Sequence, residues 1–194
     1  MSLRVEKQDW TYEDYCALPG DGNRYEIIDG RLYVSPSPRT LHQILSRRIQ
    51  DLLFDLERAN QGFVFNAPMD LKMPGCTPVQ PDLIFLDSSQ VGHIKETCLE
   101  GVPTLLVEIL SPKTAAYDRV TKLNRYACSG VLFYWIVDGV NQSFEVLELV
   151  HGHYQIVHAL GQGDSFEFRG IRFEMDSLFA PIPGATLDPA GKSD

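Results

Sequence analysis

Two acidic residues stand where acidic residues are seldom found. Glu108 lies within Leu105-Leu106-Val107-Glu108-Ile109-Leu110, an almost unbroken apolar run of the kind expected of a strand buried on both faces. On such a strand it shares a face with Leu106 and Leu110, while Val107 and Ile109 point the other way. An ionised carboxylate there is costly unless a partner offsets its charge. A divalent cation would do so, and so would an arginine closing a salt bridge at the mouth of the strand. Asp82 poses the same question. It follows Pro81, which donates no N–H and suits the first position of a strand, and it leads into Leu83-Ile84-Phe85-Leu86. Alone it reads as an ordinary strand-start aspartate. Two carboxylates on neighbouring buried strands are a stronger signal, because Mg2+ and Mn2+ take oxygen ligands and are often held by one or two carboxylates.

Three further groups could join them. Asp118, Lys122 and Tyr126 are spaced by four and so share one face of a helix, with Val120, Leu123 and Ala127 expected on the core side. By spacing alone Asp118 and Lys122 read more readily as a surface ion pair worth a few tenths of a kcal/mol. Glu26, in Tyr25-Glu26-Ile27-Ile28, reads from its neighbours as the outward position of an amphipathic hairpin. His42 stands in the first turn of a long helix, where it could also cap or pack. Gln80 is a candidate for the rim of a cleft. The pair His151 and His153 flanks Gly152 and reads as an exposed turn, since no third metal ligand accompanies it; His93 and His158 read as surface or strand positions. No glycine-rich phosphate loop and no G-x-S-x-G elbow is present.

The elements that must position these residues follow from periodicity. Asp9 is expected to cap a short helix, Trp10–Ala17, ended by Pro19-Gly20. Asp29-Gly30 between two apolar-rich runs, Tyr25–Ile28 and Arg31–Ser35, signals a hairpin, and Ser35–Pro38 a turn. Leu41, Ile44, Leu45, Ile49, Leu52, Leu53 and Leu56 recur at helical spacing and predict a helix over Thr40–Ala59. Strands are expected at Phe63–Asn66, Met69–Lys72, Asp82–Leu86, Thr104–Leu110 and Leu132–Val137, with a helix over Ala115–Ser129 stopped by Gly130. Residues 88–102 are ambiguous. Ser143–Leu149, Tyr154–Leu160 and Ser165–Phe173 alternate like antiparallel strands with glycine turns. The order predicts a mixed α/β or α+β domain around a central sheet.

Composition bounds the reading. The chain has 194 residues, 44% of them hydrophobic and 22% charged, which suits one compact domain over residues 1–181 and a loose Pro/Gly/Ala-rich tail over 182–194. Cys16, Cys76, Cys98 and Cys128 form no CxxC pair, so a zinc ribbon or redox motif has little support, and free thiols suit a reducing cytoplasm. Met1–Trp10 is polar and of mixed charge, unlike a secretory signal. No apolar run reaches about 18 residues, so no membrane partner is expected. The net charge of -9 counts against a nucleic-acid binder, although basic residues concentrate in Arg39–Arg58 and Lys113–Arg125.

Taken in order, YEIIDGRLYVSPSP, His42, VQPDLIFL, PTLLVEILSPKT, the spaced Asp118, Lys122 and Tyr126, and YWIVD resemble the Uma-type restriction-endonuclease family. The pairing of Pro81-Asp82 with Glu108-Ile109-Leu110 also resembles the PD-(D/E)XK nuclease superfamily at large. The resemblance covers Thr11–Phe179. It implies a restriction-endonuclease-like core, a central mixed β-sheet flanked by helices, here with an extra N-terminal hairpin and C-terminal antiparallel strands. It implies a metal-dependent endodeoxyribonuclease using Mg2+ or Mn2+, held by Asp82, Glu108 and the main-chain carbonyl of Ile109. Lys122 would position the water, and Glu26 would hold a second metal or act as base. His42, Gln80 and Tyr126 would contact substrate. DNA would be the partner, and a homodimer would suit cutting both strands. The pattern's usual lysine falls on Leu110, which makes Lys122 the displaced equivalent. It also leaves open a catalytically inactive nuclease-fold protein acting as a DNA-binding or scaffold module.

Overall fold

A computed structural model of the protein describes residues 9–20, 24–28, 30–35, 38–111 and 115–185. Its centre is a six-stranded mixed sheet with strand order β10-β9-β8-β7-β5-β3. The strands are β3 (Gly62–Asn66), β5 (Leu83–Asp87), β7 (Leu105–Ile109), β8 (Phe133–Asp138), β9 (Ser143–Val150) and β10 (His153–Leu160). Only β7 and β8 run parallel; the other neighbours are antiparallel. A parallel pair needs a crossover, and here it is helical. A π-helical turn (Tyr117–Lys122) runs straight into helix α3 (Leu123–Ser129), which ends at Gly130 in the left-handed conformation that glycine adopts without steric cost.

Both faces of the central strands are covered, because β5, β7 and β8 present apolar residues to both sides. Helix α2 (Thr40–Arg58) lays Leu45, Ile49, Leu53 and Leu56 on one face, against Leu83, Phe85, Leu105, Val107 and Ile109. The hairpin β11–β12 (Ser165–Phe168 and Ile171–Glu174) and the short helix α4 (Met175–Leu178) complete that layer with Phe166, Phe168, Phe173, Met175 and Leu178. Arg48 of α2 donates to the carbonyls of Leu178 and Ala180, at 2.8 and 2.7 Å, and so ties α4 down. The crossover helix covers the other face, where Tyr126 packs with Leu106, Leu110, Tyr134 and Ile136. Beside it lie the two-residue strands β4 (Leu71–Lys72) and β6 (Leu99–Glu100), paired in parallel.

The N-terminal part stands outside the central sheet. Helix α1 (Tyr12–Cys16) leads to the hairpin β1–β2 (Arg24–Ile28 and Arg31–Ser35), which forms a two-stranded sheet of its own. Thr11, not Asp9, caps α1, because the Thr11 hydroxyl accepts from the Asp14 N–H while the Asp14 carboxylate reaches back to the Thr11 N–H. The expected strand Met69–Lys72 shrinks to Leu71–Lys72 and pairs with β6. The ambiguous stretch contains a 3-10 helix, Ser88–His93, and β6. Asp29, Pro36, Ser37 and residues 186–194, expected in turns and in the tail, lie outside the described residues.

Trp135 of β8 is fully buried, and four phenylalanine rings (Phe144, Phe166, Phe168 and Phe173) surround it at centroid distances of 5.4, 5.4, 5.0 and 5.1 Å. Trp135→Ala should therefore cost about 3–5 kcal/mol. Urea unfolding followed by circular dichroism measures it, and a loss under about 1 kcal/mol would contradict this packing.

Candidate active site

The central strands bring the two carboxylates face to face. In the antiparallel ladder of β5 and β7, Leu83 lies opposite Val107 and Ile84 opposite Leu106; the same register carried one residue further sets Asp82 opposite Glu108. All five residues of β7 are buried, Glu108 included. Asp82 is buried too. Its Oδ2 accepts from the main-chain N–H of Ile109 at 2.8 Å and lies 2.9 Å from Nε2 of His42. A carboxylate only accepts, so His42 donates there through Nε2–H. The first turn of α2 thus closes over Asp82 from the opposite layer.

Lys122 arrives from the crossover. Its ammonium, in a side chain only 1% exposed, lies 2.9 Å from Glu108 Oε1, 3.2 Å from Glu26 Oε2 and 3.4 Å from Asp118 Oδ1. The Tyr126 hydroxyl donates to the same Glu108 oxygen at 2.9 Å. Glu26 reaches this cluster from the separate hairpin, and the main-chain N–H of Gln80 holds its Oε1 at 3.0 Å. The Gln80 side chain turns elsewhere and donates to Asp70 Oδ1 at 2.8 Å; the Tyr15 hydroxyl donates to that same oxygen at 2.7 Å. The segment that aims Asp118 and Lys122 is π-helical, a geometry often found where a helix has been reshaped for function.

The cluster is electrostatically lopsided. Burial acts most strongly on Glu108 and raises its pKa, the Lys122 ammonium lowers it, and Asp82, Asp118 and Glu26 raise it again; the result is a carboxyl pushed up to about 8. Burial first, and Glu108 next, push the Tyr126 phenol well above its ordinary range, so it remains a donor.

The structure therefore brings Glu26, Asp82, Glu108, Ile109 and Lys122 together at one end of β5 and β7, with His42 on Asp82. Several expectations change. Asp118 and Lys122 are not a surface pair, since both are buried. The buried face of the crossover helix is Asp118, Lys122 and Tyr126, while Val120, expected in the core, is 58% exposed; the charges neutralise one another and can be buried together. Tyr126 is fully buried with its hydroxyl committed to Glu108, so in this structure it orients that carboxylate. The side chain of Gln80 likewise serves Asp70 and Tyr15. Sequence reasoning missed Asp70 and Tyr15 as supports, because no local pattern links residues 55 positions apart. It noted Asp118 only by its spacing from Lys122.

Do these residues suit a hard divalent ion? Among the described residues no group of three or more His, Cys, Asp or Glu side chains is arranged to hold a metal. Mg2+ needs fewer, since it keeps several waters and often rests on one or two carboxylates. Both described side-chain donors to Glu108 reach Oε1, and none reaches Oε2. The Ile109 N–H faces Asp82, and in an antiparallel pair a residue's N–H and C=O face the same neighbour. Asp82, Glu108 and the Ile109 carbonyl thus form an all-oxygen donor set with excess negative charge around it, which fits such an ion.

The model of the Uma2 family, described as "Putative restriction endonuclease", matches residues 12–176 of the chain. A solved structure titled as a putative nuclease belonging to DUF820, from Anabaena variabilis ATCC 29413, superposes with a TM-score of 0.73 at 15% identity, covering 88% of this chain and 98% of that one. At that identity the likeness shows a shared fold. No curated protein matches the chain.

The Glu108 carboxyl has a pKa of about 8 in the fold against an ordinary 4.5. Between those values the folded state binds more protons than the unfolded state, so stability falls as pH rises through that window. Urea titrations of the metal-free protein across it should show this decline, and Glu108→Gln should flatten it. Equal slopes in the two proteins would assign the proton elsewhere.

Proposed function

The chain belongs to the Uma2 restriction-endonuclease family, and from that premise we propose that it is a metal-dependent endonuclease hydrolysing phosphodiester bonds of DNA. The observation that carries this reading is the position of Lys122. Leu110, where the superfamily pattern has lysine, is a buried core residue, and the ammonium comes instead from the crossover helix onto Glu108.

In this reading Asp82, Glu108 and the Ile109 carbonyl hold Mg2+ or Mn2+. When bound, such an ion supplies Lewis-acid polarisation of a phosphoryl oxygen and lowers the pKa of a coordinated water. The protein's own groups do the rest. The Ile109 N–H and His42 fix the rotamer of Asp82, and Tyr126 fixes that of Glu108. Lys122 presents positive charge, preorganised in a water-poor setting, to the oxygens on which charge builds in the transition state. Glu26, held in place by Lys122 and the Gln80 N–H, accepts a proton from the attacking water. Exposed Arg39 at the start of α2, three residues before His42, offers phosphate contact beside the site despite the net charge of -9.

A plasmid-cleavage assay tests the reading. Wild-type protein should cut with Mg2+ or Mn2+ and stop with chelator. Asp82→Asn and Glu108→Gln should each lower the rate by about 10²-fold or more while remaining folded by circular dichroism. Full activity in folded Asp82→Asn and Glu108→Gln would sink it.

The second reading, an inactive nuclease fold that binds DNA or acts as a scaffold, draws on the same Leu110 and on the engagement of Lys122 by three carboxylates. Calorimetry separates the two: no heat with Mn2+ together with retained DNA binding would favour it. We also propose a homodimer, because β10 is an edge strand exposing Ile156 and Val157 and two sites would suit cutting both strands. Light scattering should give twice the chain mass, and a strict monomer ends that part. No helix among the described residues is long and apolar enough to cross a membrane.

A further inference from the structure

Tyr117, the first residue of the π-helical turn, carries a buried hydroxyl with no hydrogen-bond partner among the described residues. Its ring stacks on Tyr33 with centroids 3.9 Å apart and planes inclined by 25°. Tyr33 is the cross-strand partner of Glu26, so one rung of the β1–β2 hairpin supplies both the carboxylate that meets Lys122 and the ring that fixes Tyr117. The Lys122 ammonium lies 5.4 Å from the centroid of the Tyr117 ring. Other buried polar atoms also lack partners: Nε1 of Trp135, Nδ1 of His93 and Nδ1 of His42. The Trp135 ring sits among phenylalanines, whereas Tyr117 sits beside the charged cluster.

A buried hydroxyl without a partner is destabilising, and phenylalanine would fill the same stack without that cost. Such an atom calls for a ligand or a water. Burial, then the nearby Glu26, Tyr33, Glu108 and Asp118, raise the Tyr117 phenol far above its ordinary range, so it stays protonated and can donate. The carboxylates around it are acceptors, yet it bonds to none of them. The Lys122 ammonium is already engaged by three carboxylates, so the Tyr117 hydroxyl is the donor left for an incoming oxygen acceptor beside it.

We propose that the Tyr117 hydroxyl is a substrate-binding group of this site, donating a hydrogen bond to a phosphate oxygen of the DNA backbone beside Lys122. This rests on the nuclease reading for the identity of the substrate. The test compares the full-length wild type with Tyr117→Phe, which keeps the ring over Lys122 and removes only the hydroxyl. Three quantities are measured: the thermal midpoint, the affinity for a short fluorescent DNA duplex with Ca2+ in place of Mg2+, and kcat/KM for cleavage with Mg2+. The expected result is an unchanged or raised midpoint, duplex binding weakened by about tenfold, and kcat/KM lowered by about 10–100-fold. A structural tyrosine would give the opposite sign, with a lowered midpoint and unchanged binding and cleavage. Tyr117→Phe that binds and cuts like the wild type overturns the proposal while leaving the nuclease reading intact. A wild type that binds the duplex but never cuts sinks the nuclease reading, and the affinity ratio then decides the role of Tyr117. A wild type that does not bind the duplex overturns both.

Discussion

A lysine ammonium that is almost wholly withdrawn from solvent must be surrounded by anions. The burial of Lys122 therefore dictates much of what lies around it. Glu26, Glu108 and Asp118 each come within salt-bridge distance, and each is itself buried. Neither side of this arrangement is stable alone, because removing one partner leaves an uncompensated charge in a low-dielectric setting. The three carboxylates arrive from three separate pieces of chain: a free-standing hairpin, a central strand and the π-helical turn. Their shared cation welds these pieces together. The remaining bonds, from Tyr126 to Glu108 and from the Gln80 N–H to Glu26, hold the carboxylates in one orientation toward it.

The hairpin β1–β2 depends most on this weld. It belongs to no larger sheet, and a lone hairpin is marginal in water. Among the described residues, the contacts that dock it include the Glu26 ion pair, the Gln80 N–H bond to Glu26, the Tyr33–Tyr117 stack, and a hydrogen bond from the Thr77 hydroxyl to the Ile27 carbonyl. Helix α1, which precedes the hairpin, is itself tied down from Tyr15 to Asp70, the latter also gripped by Gln80. The N-terminal segment is thus part of the wall of the site. Electrostatics and aromatic stacking act there together with apolar burial, since Ile27 is fully buried and Tyr33 packs against the hydrophobic cluster.

The acidic balance of the chain fits this picture. Many of the basic residues that cluster along the sequence have structural employment: Arg48 on the carbonyls of Leu178 and Ala180, Arg58 on Asp55, Arg119 on Glu145 and Arg125 on the Gly75 carbonyl. A run of arginines in sequence is therefore a poor guide to a phosphate-binding surface. What counts is which guanidinium groups the fold leaves facing water, and Arg39 and Arg47 of α2 are exposed.

Much of the frame was legible in the sequence. The leucine spacing of α2, the apolar runs of β5, β7 and β8, and the alternation of β9 and β10 are local patterns, and local patterns follow from side-chain period alone. Asp82 and Glu108 could be singled out for the same reason: a charge inside an apolar strand is anomalous wherever the strand lies. The direction of Lys122 was not legible. Spacing by four places Asp118, Lys122 and Tyr126 on one face, but it cannot say whether that face meets water or core, and ordinary hydrophobic reasoning put Val120 inside instead. Only the tertiary structure decides that, because burying four charges together is affordable solely when segments distant in sequence supply the counter-charges at once. The convergence of Glu26 on Lys122, the π-helical reshaping of the crossover and the orphaned hydroxyl of Tyr117 are products of that assembly. The sequence by itself determined the strands and the two carboxylates they carry; the packing of a hairpin and a crossover helix against those strands made them into a site.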